Sequence, residues 1–260
     1  MAAVATVPKN GRVVFAGDSR TFLNWMGISG EATRLKALIE AIWATPDNAT
    51  YGSAATQTGS SSTATLVSGA LPSVAAPTYP TVTFLNSGVS GSRIADLDAS
   101  FTGSISAKTP DLVIIWHNTN DANGIVGAPT DPTVFQATYQ SVIDKCKAYR
   151  STIPIVVVSD LCYGEYYLTN PSRINSLSPI AANVPSAWSL NPQCAAVAAA
   201  NPDNCVYADI CTPYLAWLMA NYALPGPGTG GVTTDGLHEN TSPGMGLIST
   251  WVLSYLDIPA

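Results

Sequence analysis

The sequence predicts an α/β fold, a parallel sheet of about five strands covered by helices on both faces. Two observations predict it. Five short apolar runs recur along the 260 residues, and segments with helical spacing or helix-start signals alternate with them. That alternation builds parallel sheets through right-handed crossovers. A third observation concerns place. The polar residues able to do chemistry gather directly after these runs, and in such a sheet ligands bind outside the carboxyl ends of the strands.

The first strand is expected over 12–16. Val13-Val14-Phe15-Ala16 runs into Gly17-Asp18-Ser19-Arg20, a turn that delivers one hydroxyl to the strand's carboxyl end. Leu35, Leu38, Ile39 and Ile42 then stand at the three-to-four spacing of a helix. Residues 45–81 are rich in Ser, Thr, Ala, Gly and Pro, which have little to bury, and read as a surface excursion. The second strand, 82–86, ends in Asn86-Ser87-Gly88-Val89-Ser90-Gly91. The third, 112–116, ends in His117-Asn118-Thr119-Asn120-Asp121. Asp131-Pro132 supplies an N-cap with proline at the first helical position. Phe135, Tyr139, Val142, Cys146 and Tyr149 give the helix that follows one apolar face.

The unbroken β-branched run 155–158 is a strand buried on both sides. Residues 161–192 carry Tyr163, Tyr166, Tyr167 and Trp188 among turn residues. They read as aromatics packing a loop onto the domain, with a substrate-facing insertion as the alternative. A fifth strand over 206–210, a helix over 213–222, a Pro/Gly-rich loop over 224–231 and a final helix over 245–256 complete the chain. The expected organisation is one domain, 1–260, with surface insertions at 45–81 and 161–192.

Composition narrows the function classes. Hydrophobic residues make up 47 % and charged ones 11 %, too apolar for disorder, yet no run of eighteen apolar residues could span a membrane. The net charge is −6 and the eleven Lys and Arg are scattered, so neither nucleic acid nor an anionic membrane surface finds a basic face. Residues 1–10 show no signal peptide, having neither a basic region nor a long apolar core. The polar, lysine-poor composition points to an extracellular or particle-associated setting. Five cysteines leave at least one free thiol. Cys194 and Cys205 either close a short loop, worth roughly 3 kcal/mol, or serve with the others as small buried hydrophobes.

Ser19, Gly91 and Asn120 follow three different strands and therefore share one rim of the sheet. His238 lies in a loop leading to the last helix, which opens on the same rim, and Asp235 stands three residues before it. Each has a task in acyl transfer. A serine hydroxyl needs a base within hydrogen-bond reach, which histidine, with its reference pKa of about 6.5, supplies. A carboxylate holds the imidazole and stabilises its protonated form. The charge that develops on the carbonyl oxygen needs preorganised donors. Gly91 and Ser19 offer backbone N–H groups and Asn120 an amide.

Gly17-Asp18-Ser19, Gly91 after Asn86-Ser87-Gly88, Thr119-Asn120-Asp121 and Asp235-x-x-His238 resemble, in order, the four sequence blocks of the SGNH (GDSL-like) hydrolases. The resemblance implies a three-layer α/β/α fold with a flavodoxin-like parallel sheet and hydrolysis of carboxylic esters, in some members thioesters. It assigns the nucleophile to Ser19, the oxyanion donors to Ser19, Gly91 and Asn120, and the acid and base to Asp235 and His238. Two departures bear on substrate choice rather than reaction type. Arg20 stands where the family often has leucine, and Asn118 where the third block usually has glycine, adding bulk or a polar contact beside Asn120.

Competing chemistries find less support. Two histidines, no H-E-x-x-H and no paired cysteines leave no zinc site, and no G-x-G-x-x-G or phosphate loop supports nucleotide binding. No metal or cofactor is expected. The absence of a G-x-S-x-G elbow argues against the α/β-hydrolase fold. His117 lacks a carboxylate at useful spacing and reads as a rim or wall residue, while Asp18 and Asp121 read as loop braces. The expected function is hydrolysis of a small-molecule or carbohydrate ester with a short acyl chain, acetyl groups on sugars included. The alternative is a non-catalytic carbohydrate-binding or structural module of a surface or virion assembly with a vestigial site.

Overall fold

Alternating side chains along the first predicted strand show how the layers form. In a computed structural model, which describes residues 5–19, 21, 38–42, 55–58, 65–68, 80, 82–123, 128–161, 190–221 and 244–258, Val13 and Phe15 face one core and Val14 and Ala16 the other. The strands are β1 (Ala5–Thr6), β2 (Gly11–Gly17), β3 (Ala55–Thr58), β4 (Thr65–Ser68), β5 (Val82–Gly88), β6 (Leu112–Trp116), β7 (Ile155–Val158), β8 (Cys205–Ala208) and β9 (Leu256–Asp257). The helices are α1 (Ile94–Ala99), α2 (Phe101–Ser104), α3 (Thr119–Asn123), α4 (Pro132–Tyr149), α5 (Asn191–Ala200), α6 (Cys211–Asn221) and α7 (Gly244–Leu253). Residues 38–42 are also helical.

Five strands form one sheet in the order β5-β2-β6-β7-β8, every neighbouring pair parallel. This is the flavodoxin-like order. The chain steps from β2 to one side, then crosses back to the other, and the crevice such a reversal leaves at the carboxyl ends is where ligands bind. On one face Phe15, Ile114 and Trp116 pack with Ile39, Tyr214, Ile248 and Val252. On the other Val14, Val113 and Ile115 pack with Ile94, Leu97, Phe135, Tyr139 and Val142. The result is the three-layer α/β/α arrangement, with the central strands β6 and β7 buried on both sides as their apolar runs require and the edge strand β5 only partly covered.

Several expectations are corrected at their edges. β2 and β5 run on to Gly17 and Gly88, and β8 begins at Cys205 and ends at Ala208. Tyr149 does not complete the apolar face of α4; it is exposed. The last helix stops at Leu253, and β9 pairs in parallel with β1. The stretch 45–81 contains β3 and β4, paired antiparallel. Of 161–192, residues 162–189 lie outside the described residues, and Asn191 already begins α5. No helix among the described residues is long and apolar enough to cross a membrane.

The Cys194–Cys205 bridge is not formed. Cys146, Cys194 and Cys205 are buried free thiols, each pushed up to about 12 by burial. Cys194 instead sits on the inner face of α5, where its Sγ accepts from the Asn118 amide at 3.8 Å. Cys211 is disulfide-bonded.

Candidate functional site

The strand ends are level at the crevice. Gly17 lies opposite Gly88 on one side and Trp116 on the other. Ser19, Gly91 and Asn120 therefore all leave from the same edge, two to four residues further on, and Ser19 is 6 % exposed. Gly17 has no room for a side chain. A Cβ there would collide with the Thr21 hydroxyl and stand 2.5 Å from the Trp116 carbonyl oxygen, so the glycine lets the serine turn fold back against β6. Gly17→Ala should cost about 1–3 kcal/mol of stability through this overpacking, read as a lower urea midpoint.

The turn after β5 is tied to its neighbours on both sides. The Val89 N–H donates to the Gly17 carbonyl at 2.9 Å. The Asn86 side chain accepts from the Gly88 N–H at 2.6 Å, and both the N–H and hydroxyl of Ser92 donate to the Val89 carbonyl. Gly91 sits at φ 75°, and a Cβ built there would meet nothing within 4 Å. Glycine is needed here for its left-handed backbone rather than for space. Asn120, on α3, donates its amide to the Ser92 carbonyl at 2.9 Å, which fixes Asn120 one residue away from Gly91.

His117 braces this arrangement from below. Its Nε2 lies 3.1 Å from the Ser92 Oγ. Because that hydroxyl's proton goes to the Val89 carbonyl at 2.7 Å, Nε2 is the donor. Nδ1 is buried with no partner among the described residues. Burial pushes the imidazole down to about 4, the Asp96 charge pulling weakly the other way. His117 is therefore a neutral, 2 %-exposed brace, as a wall role requires, and unsuited to be the base. The unfolded chain would protonate this histidine near its ordinary value of about 6.5. Between that value and 4 the unfolded state holds the extra proton, so stability falls as the pH is lowered through this window. The loss should reach about 3 kcal/mol near pH 4. Urea midpoints across the window should show that slope, and His117→Gln should flatten it.

Asp121 is a loop brace, as expected. Its carboxylate accepts from the Ile94 N–H at 2.8 Å, capping α1, and from the Thr130 hydroxyl at 2.7 Å. Burial raises its pKa against the pull of those two bonds. Asp18 is buried beside Ser19. Asn118 departs from its expected place beside Asn120. It is fully buried and reaches away to α5, where its amide lies 3.5 Å from the Asn191 Oδ1. That same oxygen accepts from the Asp160 N–H at 2.6 Å, so Asn118 and Asn191 join the ends of β6 and β7. Arg20, Asp235 and His238 lie outside the described residues. Among the described residues, no three His, Cys, Asp or Glu side chains come together as a metal cage.

A cleft of about 430 Å³ opens beside the rim. Gly17, Gly91, Ser92 and His117 line its inner side and residues of α1 and α2 its outer side. Neither the cleft nor the Ser92–His117 contact was visible in the sequence.

A model of the GDSL-like Lipase/Acylhydrolase family matches residues 47–242. That span holds Gly91, Asn120, Asp235 and His238, while Ser19 precedes it. No curated protein matches the sequence. Among solved structures, the chain is similar to the acetyl xylan esterase AlAXEase, at 18 % identity and TM-score 0.60 over 94 % of this chain and 98 % of that one. It is similar to a catalytic serine-to-alanine mutant of Axe2, an acetylxylan esterase from Geobacillus stearothermophilus (14 %, TM-score 0.60, 98 % and 99 %). It is also similar to LAE5, an alpha/beta hydrolase from the metagenome of Lake Arreo, Spain (15 %, TM-score 0.61, 96 % of each chain). At these identities the likeness is one of fold.

Proposed function

We propose, from the premise that this chain belongs to the GDSL-like lipase/acylhydrolase family, that it hydrolyses carboxylic esters through an acyl-enzyme on Ser19. The acyl groups are short, acetyl on carbohydrate foremost. One observation carries this reading: Ser19, Gly91 and Asn120 leave three adjacent strands at the point where the strand order reverses. The acetylxylan esterases of the same fold, one of them bearing a catalytic serine-to-alanine change, support the acetyl ester.

The chemistry runs in two halves. Ser19 Oγ attacks the ester carbonyl carbon while His238 takes its proton, and Asp235 holds the imidazolium. The carbonyl oxygen becomes an oxyanion received by the N–H groups of Ser19 and Gly91 and by the Asn120 amide. Collapse breaks the bond to the alcohol, which leaves with the proton from His238. Water, deprotonated by His238, then attacks the acyl-serine, and the acid departs as Ser19 recovers its proton. Nothing in these steps calls for a metal or a redox group.

A fluorophosphonate tests the reading directly, because it phosphonylates an activated serine and ignores an inert one. Mass spectrometry of the labelled protein should place the adduct on Ser19. An unmarked protein would reject the hydrolase in favour of a module with a vestigial site. A series of aryl esters of rising acyl length should show turnover greatest at acetyl.

A further inference from the structure

We propose that the cleft between the Val89–Ser92 turn and helices α1 and α2 is the seat of the ester's alcohol half, and that it takes an uncharged polyol the size of a pyranose ring. This rests on the ester-hydrolase reading for its meaning, since Gly91 belongs to both the cleft and the oxyanion site. A group seated there adjoins the carbonyl that Gly91 would receive. An acetyl methyl does not fill about 430 Å³, so the space falls to the other side of the ester bond.

The lining says what kind of group fits. Serines dominate it, and most of their protons are already committed within the protein. Ser87 donates to the Ser104 carbonyl, Ser92 to the Val89 carbonyl and Ser100 to the Asp96 carbonyl. Ser104 Oγ lies 2.9 Å from Ser100 Oγ, whose own proton is spent, so Ser104 is the donor of that pair. What these four hydroxyls leave for a ligand is lone pairs, those of Ser87 partly taken by the Lys108 ammonium, together with the Asp96 carboxylate. Such a wall accepts hydrogen bonds and recognises donors, which are what the hydroxyls of a sugar offer. Leu97 and Val89 supply apolar surface for the ring's CH faces.

Charge excludes the alternatives. Among the described lining residues Asp96 is the single formal charge, and the Lys108 ammonium bonded to Ser87 is already engaged by the Asn86 carbonyl and the Ser87 Oγ. His117 does not supply one either, because burial keeps it neutral at ordinary pH. An anionic sugar would meet the lone pairs of these serines and a carboxylate. A long acyl chain would have to strip water from the same oxygens without replacing their hydrogen bonds.

The test uses two substrates and one binding measurement. The substrates are p-nitrophenyl acetate and a methyl pyranoside carrying one acetyl group, its other hydroxyls free. Ser100 is exposed, so Ser100→Leu fills the cleft without burying a mismatch in the core. The ratio of kcat/KM for the glycoside to that for the aryl ester should fall at least about tenfold, the equivalent of one or two lost hydrogen bonds. An unchanged ratio overturns the proposal. Asp96→Asn gives a second readout, by saturation-transfer NMR of the unesterified sugars. The wild type should bind a neutral methyl hexoside at least about tenfold more tightly than the corresponding uronate, and Asp96→Asn should narrow that gap. Equal binding of the two sugars by the wild type overturns it. Failure of the wild type to hydrolyse either ester removes the hydrolase reading, while sugar binding lost in Ser100→Leu would still support the seat. Hydrolysis of both esters with no sugar binding removes the seat and leaves the hydrolase standing.

Discussion

Ser19→Ala should lose about 10⁶-fold in kcat on a short-chain aryl ester, the scale seen when the nucleophile of a serine hydrolase is removed. The size of the effect follows from what the hydroxyl does alone. Without Oγ no acyl-enzyme forms, and hydrolysis must proceed by direct attack of water on an ester merely held in place. The proposed oxyanion donors would survive the change, because two of the three are backbone N–H groups and the third is on α3. A residue of catalysis over water should therefore remain, and KM should change far less than kcat. The substitution removes one oxygen from a 6 %-exposed side chain and leaves the glycine that shapes the turn, so the unfolding midpoint should stay close to that of the parent. Near-normal turnover by a folded Ser19→Ala protein would reject Ser19 as the nucleophile. Loss of turnover together with loss of folding would be recognised by the midpoint and not mistaken for chemistry.

The same serine shows how far the sequence could be read. In a parallel sheet all carboxyl ends lie on one edge, so three residues that each follow a strand must share a rim. Their common address needed no coordinates. β6 and β7 were legible to the residue, because short apolar runs rich in β-branched residues favour a strand over a helix at that length. The start of α4 was legible in Asp131-Pro132, whose carboxylate accepts from the Thr133 and Val134 N–H groups. By contrast, α1 and α2 have six and four residues, too few for a periodic stripe to stand out. In α5 the alanines favour a helix without marking a face. Asn118 shows a subtler limit. Its departure from the family's usual glycine was visible, but the direction of its side chain was set by Asn191 and Cys194, more than seventy residues away. The His117–Ser92 brace is likewise a contact across 25 residues, between two side chains that each look ordinary in their own segment.

Asn120→Ala should lower kcat by about 100- to 1000-fold, the usual cost of one oxyanion donor, and leave KM nearly unchanged. The donor is silent in the ground state, where the carbonyl oxygen carries little charge, so its removal acts on the transition state. The structure explains why the amide would be well aimed. Asn120 is 5 % exposed, and one of its two N–H bonds is taken by the Ser92 carbonyl at 2.9 Å, which leaves the other to a direction set by the first. Ser92 is in turn held by its bonds to Val89 and His117. Asn120→Asp should not restore activity, since it replaces a donor by a negative charge where negative charge is about to form. Ser92→Ala should have a smaller effect in the same sense, lowering kcat without raising KM. It loosens the turn that carries Gly91 but keeps the carbonyl that orients Asn120. A steady-state comparison of the three variants checks the order of effects. A loss below about tenfold in Asn120→Ala would place the oxyanion elsewhere on the rim.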